Sequence, residues 1–214
     1  MDRKLLSLEE ISQDYTIVLI DTSALISPIV HGDGNLEMQS MQVESARFYT
    51  NFFIRGNSFY VTPMVLSEYK RDPKNFSRFN REESKLYTQL KNHKLFNEVL
   101  SAENNFIDEK KKFVRSLIDG ERVIKLDEST KSVYKNFFDL YKPVGEFFNL
   151  SMADFDFFVT GATLSHMGNT VALISNDIPI LHTWNCFVRE KELNRERFGF
   201  FIREDINRFD MARV

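Results

Sequence analysis

Apolar residues in this chain fall into short unbroken runs that stop at acids. Thr16 to Ile20 (TIVLI) is β-branched and aliphatic throughout, and it ends at Asp21, two hydroxyls and a fresh apolar run. Thr170 to Ser175 (TVALIS) has the same character and ends at Asn176-Asp177. Runs of this length without polar alternation are the pattern of strands buried on both faces of a parallel sheet. Ser58 to Thr62 (SFYVT) reads as a further strand and Phe198 to Ile202 (FGFFI) as an edge strand, with the charged tail from Arg203 peripheral.

The segments between these runs carry helix signals. Thr22 or Ser23 can cap a short helix that Pro28 and the loop His31 to Asn35 end, and Leu36 to Arg55 reads as a longer helix. Thr62-Pro63 supplies an N-cap and a favoured first helical residue for a helix that carries Glu68 and stops at Asp72-Pro73. A polar, mostly helical stretch runs from about 75 to 148, with breaks expected near Gly120 and Pro143. Ser151-Met152-Ala153-Asp154 has the spacing of a capping box, opening a helix to about Met167 with Gly168 at its C-terminal stop. Strand, helix, strand at these lengths predicts an α/β chain with parallel strands.

Length and composition narrow the class. A chain of 214 residues accommodates one α/β domain with an insertion and is short for two full domains. With 43% hydrophobic and 28% charged residues it has the balance of a globular protein, and its 21 Phe predict an aromatic core. Cys186 stands alone, so neither an intramolecular disulfide nor a cysteine-based metal site can form, and a cytoplasmic setting is the default expectation. Acids interrupt the first 15 residues where a signal peptide would need an apolar stretch, and no run approaches the roughly 18 apolar residues of a membrane span, so no membrane partner is expected. A net charge of -3 gives no global attraction to nucleic acid. Locally, Tyr69 to Leu100 carries eight Lys/Arg against four Asp/Glu, with five aromatics interleaved, and that stretch is a candidate phosphate contact. Lys110-Lys111-Lys112 reads first as a solvated helix face, and the four histidines show no metal-ligand spacing.

The acids carry the chemistry. If their strands are parallel, Asp21 and Asp177 lie at the carboxyl rim of the sheet, where open α/β folds place ligands. Glu68 lies early in the helix after another strand. A helix leading into a parallel strand runs antiparallel to it, so Asp154, in the first turn of its helix, returns to the same rim. Four carboxylates without His or Cys companions are hard oxygen ligands, suited to Mg²⁺ or Mn²⁺ rather than zinc. Divalent ions so held can activate water and support displacement at phosphorus. Each acid also has a plain reading: Asp21 as a helix cap, Glu68 as a solvated helical acid, Asp154 as the capping-box residue, Asp177 as a turn former. Asp156 is two residues from Asp154 and so points about 200° around the helix; it is the reserve candidate.

In order and context these segments resemble the PIN-domain family of metal-dependent nucleases. LIDTSALI matches the family's first acid with Asp21, TPMVLSEY its second with Glu68, LSMADFDFFVTGA its third with Asp154, and ALISNDIPIL its fourth with Asp177. The match covers residues 15 to 72 and 148 to 182, and the connection between Glu68 and Asp154 is longer than in compact toxin-type members. The resemblance implies a single PIN-like domain over 1–214: a three-layer α/β/α fold about a central, mostly parallel sheet, with approximately 73–148 as a helical insertion between the two halves of the core. It implies a divalent-metal-dependent ribonuclease acting on RNA, with Asp21, Glu68, Asp154 and Asp177 holding Mg²⁺ or Mn²⁺ and Thr22, Ser23 and Asn176 in support. The alternative is a non-catalytic PIN-like module that binds RNA or a protein partner, with a homo-oligomer also open. A phosphatase of the haloacid dehalogenase type would need a second acid two residues after the first, where this chain has Ser23.

Overall fold

The two acid-terminated runs are neighbouring strands in the middle of one sheet. This computed structural model describes residues 5–26, 44–52, 58–70, 108–189, 193–194 and 196–212. Along the chain the elements are α1 (Leu8–Asp14), β1 (Ile17–Ile20), α2 (Thr22–Ile26), α3 (44–52), β2 (Phe59–Tyr60), α4 (Pro63–Lys70), α5 (108–119), α6 (Glu128–Phe147), α7 (Met152–His166), β3 (Val171–Ile174), α8 (Ile178–Arg189), β4 (Phe198–Asp205) and β5 (Arg208–Met211). The fold is α/β. Its strand order is β2-β1-β3-β4-β5, with the first four parallel and β5 antiparallel. Ile17 to Ile20 lie opposite Val171 to Ile174 in register, and every residue of β3 is buried, as its unbroken apolar run predicts.

Helices cover both faces. Phe198 and Phe200 of β4 meet Phe158 of α7 and Trp184 of α8, while Gly199 and Phe201 meet Tyr15 at the end of α1. This arrangement is compatible with three layers. Aromatic packing continues outward: Tyr141 of α6 contacts Phe158 and Phe187, and Phe113 of α5 contacts Tyr49 and Tyr69. Except at α2, where Asp21 caps the helix and the expected caps Thr22 and Ser23 lie inside it, the helix ends follow the sequence signals. Val65 donates to the Thr62 hydroxyl, Ser151 and Asp154 form a reciprocal capping box, and Gly168 takes a left-handed φ of 96° beyond α7.

Three expectations change. Phe198 to Ile202 is no edge strand: β4 is interior, extends to Asp205, and is flanked by β5 at the edge. The tail from Arg203 is not peripheral either, because Phe209 is wholly buried and pairs with Leu6, and Arg203 is 0% exposed. Pro143 does not break its helix, since α6 runs from Glu128 to Phe147. The proline lies within five residues of the helix end, and the flanking Tyr141 and Gly145 are buried, Gly145 directly beneath the Phe155 ring of α7, so packing offsets one missing backbone bond. The turn at Gly120 occurs as expected. Pro28, the loop His31 to Asn35, Asp72-Pro73, the rest of the Leu36 to Arg55 helix and the basic stretch beyond Lys70 lie outside the described residues. Among the described residues no helix is long and apolar enough to cross a membrane.

Candidate metal centre

From β1 the chain moves to β2 on one side, then crosses back to β3 on the other, so the winding reverses between β1 and β3. That reversal opens a crevice at the carboxyl ends of the two central strands. Asp21 leaves β1 there, its amide still donating to the Ile174 carbonyl at 2.9 Å, and Ser175 to Asp177 leave β3 beside it.

Asp21 is 1% exposed. Its Oδ2 accepts from the Ser23 hydroxyl at 2.6 Å, the Ser175 hydroxyl at 3.0 Å and the Ser23 amide at 3.3 Å, and its carbonyl accepts from Leu25. The capping role is therefore real. Oδ1, however, is buried and has no hydrogen-bond partner among the described residues. Burial pushes the carboxyl up to about 6, opposed by the Ser23 hydrogen bond, reinforced by the charge of Asp154 and again opposed by Ser175.

The other acids reach the same rim. Glu68, on the second turn of α4, accepts the Thr22 hydroxyl at 2.6 Å on Oε2. Asp154 accepts the Ser151 amide on Oδ2 at 3.1 Å as the third residue of α7. Asp177 caps α8 through Oδ1, which accepts from Ile180 at 3.3 Å; desolvation raises its pKa, and the charges of Asp154 and Glu68 raise it further. These couplings place Asp154 within electrostatic reach of both strand-end acids, as the antiparallel run of α7 requires. Among the described residues, no group of three or more His, Cys, Asp or Glu side chains is gathered tightly enough to enclose an ion. The acids are neighbours acting on one another's charge, not a closed cage.

Each of the four commits one oxygen to a donor of the protein, while its second oxygen takes no hydrogen bond among the described residues. Such uncommitted carboxylate oxygens fit a hard divalent cation. Thr22 orients Glu68, and Ser23 orients Asp21 while accepting the Asn176 amide at 3.0 Å. Asn176 itself turns its side-chain oxygen to the Arg203 amide at 2.9 Å and so ties β3 to β4. Asp156 faces the other way: it is 9% exposed and accepts the Tyr134 hydroxyl of α6 at 2.8 Å.

Two contributors escape a reading by residue type. Ser175 has a visible signal, a hydroxyl two residues before an acid at a strand end, and it supplies the second donor to Asp21. Arg203 has none beyond an arginine interrupting an apolar run. The lysines follow the plain reading: Lys110 lies over the Tyr69 ring, and Lys111 and Lys112 pair with Asp108 and Glu109 on their own helix. His166 and His182 pack against Phe137 and Phe148. Compared with family models, curated proteins and solved structures, the chain gives no match.

Proposed function

We propose that this protein is a divalent-metal-dependent ribonuclease of PIN-like, three-layer architecture, hydrolysing RNA phosphodiester bonds at the β1–β3 rim. The observation that carries the reading is the set of four carboxylates, drawn from four separate segments, each keeping one oxygen free of hydrogen bonds among the described residues. Asp21 Oδ1 is buried and unpartnered, as Asp156 Oδ2 is on the α6 side, and what sets the rim apart is that three further acids from separate segments surround Asp21 there. Mg²⁺ or Mn²⁺ held by these residues would neutralise their mutual repulsion, polarise a phosphoryl oxygen and lower the pKa of water. Asp21 would offer Oδ1, its other oxygen fixed by Ser23 and Ser175. Glu68 would be aimed by Thr22, while Asp154 and Asp177, anchored at helix N-termini, set the negative field that attracts a cation and orients water.

One observation favours a non-catalytic module that binds RNA or a protein partner instead: Asp154 and Asp177 each cap a helix, which explains their positions without chemistry. A cleavage assay separates the two. With Mn²⁺ or Mg²⁺ the purified protein cleaves single-stranded or structured RNA, EDTA stops it, and Asp21→Asn, still folded by circular dichroism, does not cleave. Equal activity in EDTA or in the variant removes the metal mechanism. No cleavage across a broad RNA panel, with no Mn²⁺ binding by calorimetry, establishes the module.

A further inference from the structure

Arg203 is the one buried cation at the rim among the described residues, and its side-chain and main-chain contacts together reach both walls of the crevice. Its Nη1 donates to the Ala24 carbonyl of α2 at 2.7 Å, and Nε and Nη2 donate to the carbonyls of Asp205 at 3.2 Å and Ile206 at 3.0 Å. Its guanidinium lies 4.8 Å over the Tyr49 ring, and the Tyr49 hydroxyl reaches the same Ala24 carbonyl at 3.2 Å. The Arg203 main-chain amide takes the Asn176 side-chain oxygen, one residue before Asp177. One residue thus grips α2, which carries Thr22 and Ser23, and the end of β3, which carries Ser175 and Asp177.

For stability alone this arrangement is costly. A guanidinium that is 0% exposed with all three of its hydrogen bonds on carbonyls sacrifices hydration for dipoles, and burial lowers its pKa. What the fork supplies is geometry, because its rigid planar donors fix three carbonyls at once, which a lysine ammonium on a flexible stem does not do. We infer that Arg203 is a positioning residue: its side chain clasps α2 to the β4–β5 turn while its main-chain amide ties β4 to the end of β3, so the side chain holds the α2 wall, and with it Asp21 and Glu68, at a set spacing from Asp177. The cation-holding part of this inference rests on the metal-site reading; the clasp itself does not.

The test uses the full chain with Arg203→Lys, and Phe187→Leu, in the aromatic contact of α8 with Tyr141 and Phe158, as a control away from the crevice. In metal-free protein, hydrogen exchange at the Leu25 amide of α2 accelerates in Arg203→Lys, which loses the side-chain grip and keeps the main-chain bond to Asn176, while that of Ala172 in β3 is unchanged; Phe187→Leu does not produce this pattern. With Mn²⁺ alone as the probe, calorimetry gives an affinity weaker by about tenfold or more for Arg203→Lys, the scale of losing an outer-shell partner, and wild-type affinity for Phe187→Leu. Unchanged exchange at Leu25, or equal effects in both variants, overturns the clasp. Acceleration at Leu25 with a wild type that binds no Mn²⁺ keeps the clasp and removes the metal reading.

Discussion

Replacing Asp21 with Asn removes a charge that the fold holds in a desolvated place, and the energetic signature depends on pH. The carboxyl is raised from 3.8 to about 6. Because the folded pKa lies above the unfolded one, the stability linked to the protonated acid is complete below 3.8 and is lost as pH rises through about 6. The full loss is about 3 kcal/mol at 1.36 kcal/mol per pKa unit. Linkage places about half of it below pH 5 and about half between pH 5 and pH 8. Asn does not titrate, so in EDTA the stability of Asp21→Asn relative to wild type rises by about 1–2 kcal/mol across that window, whatever constant cost the altered Ser23 and Ser175 hydrogen bonds add. Relief of Asp154, whose charge acts on Asp21, has the same sign. Urea unfolding at several pH values measures the difference directly. A difference that stays flat, or that falls with pH, refutes the desolvated-acid account. Adding Mn²⁺ at about 100 times its dissociation constant stabilises wild type by about 2.7 kcal/mol and the variant by clearly less.

Two further predictions separate site from scaffold. Tyr134→Phe leaves the buried Asp156 without its hydroxyl donor and costs about 1–3 kcal/mol in urea unfolding, while Mn²⁺ affinity stays that of wild type, because Asp156 faces α6. Gly161→Ala sets a methyl 2.6 Å from Leu173 Cδ2 and 3.0 Å from Phe198 Cε2, and lowers stability by about 1–3 kcal/mol; a thermal midpoint equal to wild type would show that the α7 contact with the sheet is looser than described.

The core was legible where burial was uniform. TIVLI and TVALIS announced strands because a strand covered on both faces has no polar position to spare, and Ser151 with Asp154 announced a helix start because the reciprocal bonds need those residues at that spacing. Pattern failed where a charge is buried. Arg203 reads as the start of a solvated tail, and the carbonyls of Ala24, Asp205 and Ile206, from segments 179, 2 and 3 residues away, together with the Tyr49 ring, make its interior position tolerable. β5 went unseen for a related reason: Phe209 is its sole wholly buried residue. The rim was legible through topology rather than residue type, since the antiparallel return of α7 brings Asp154 back to β1 and β3.

The plain reading of each acid and the proposed chemical one concern different oxygens. A cap uses one carboxylate oxygen, as Asp154 Oδ2 does with the Ser151 amide and Asp177 Oδ1 with Ile180. That bond fixes the side chain at a helix N-terminus, where the partial positive charge of the helix lowers the cost of placing a negative group. The starts of α7 and α8 therefore make the crowding of Asp154 against Asp21 and Asp177 tolerable in the absence of a cation, yet not cost-free, because the charge of Asp154 adds to the desolvation that chiefly raises both strand-end acids. Capping is thus the means by which the fold holds a carboxylate rigid with its other oxygen unspent. Loss of the Ser151 cap would free the Asp154 side chain as well as fray a helix, so the capping bond and the proposed metal role stand or fall together at that residue.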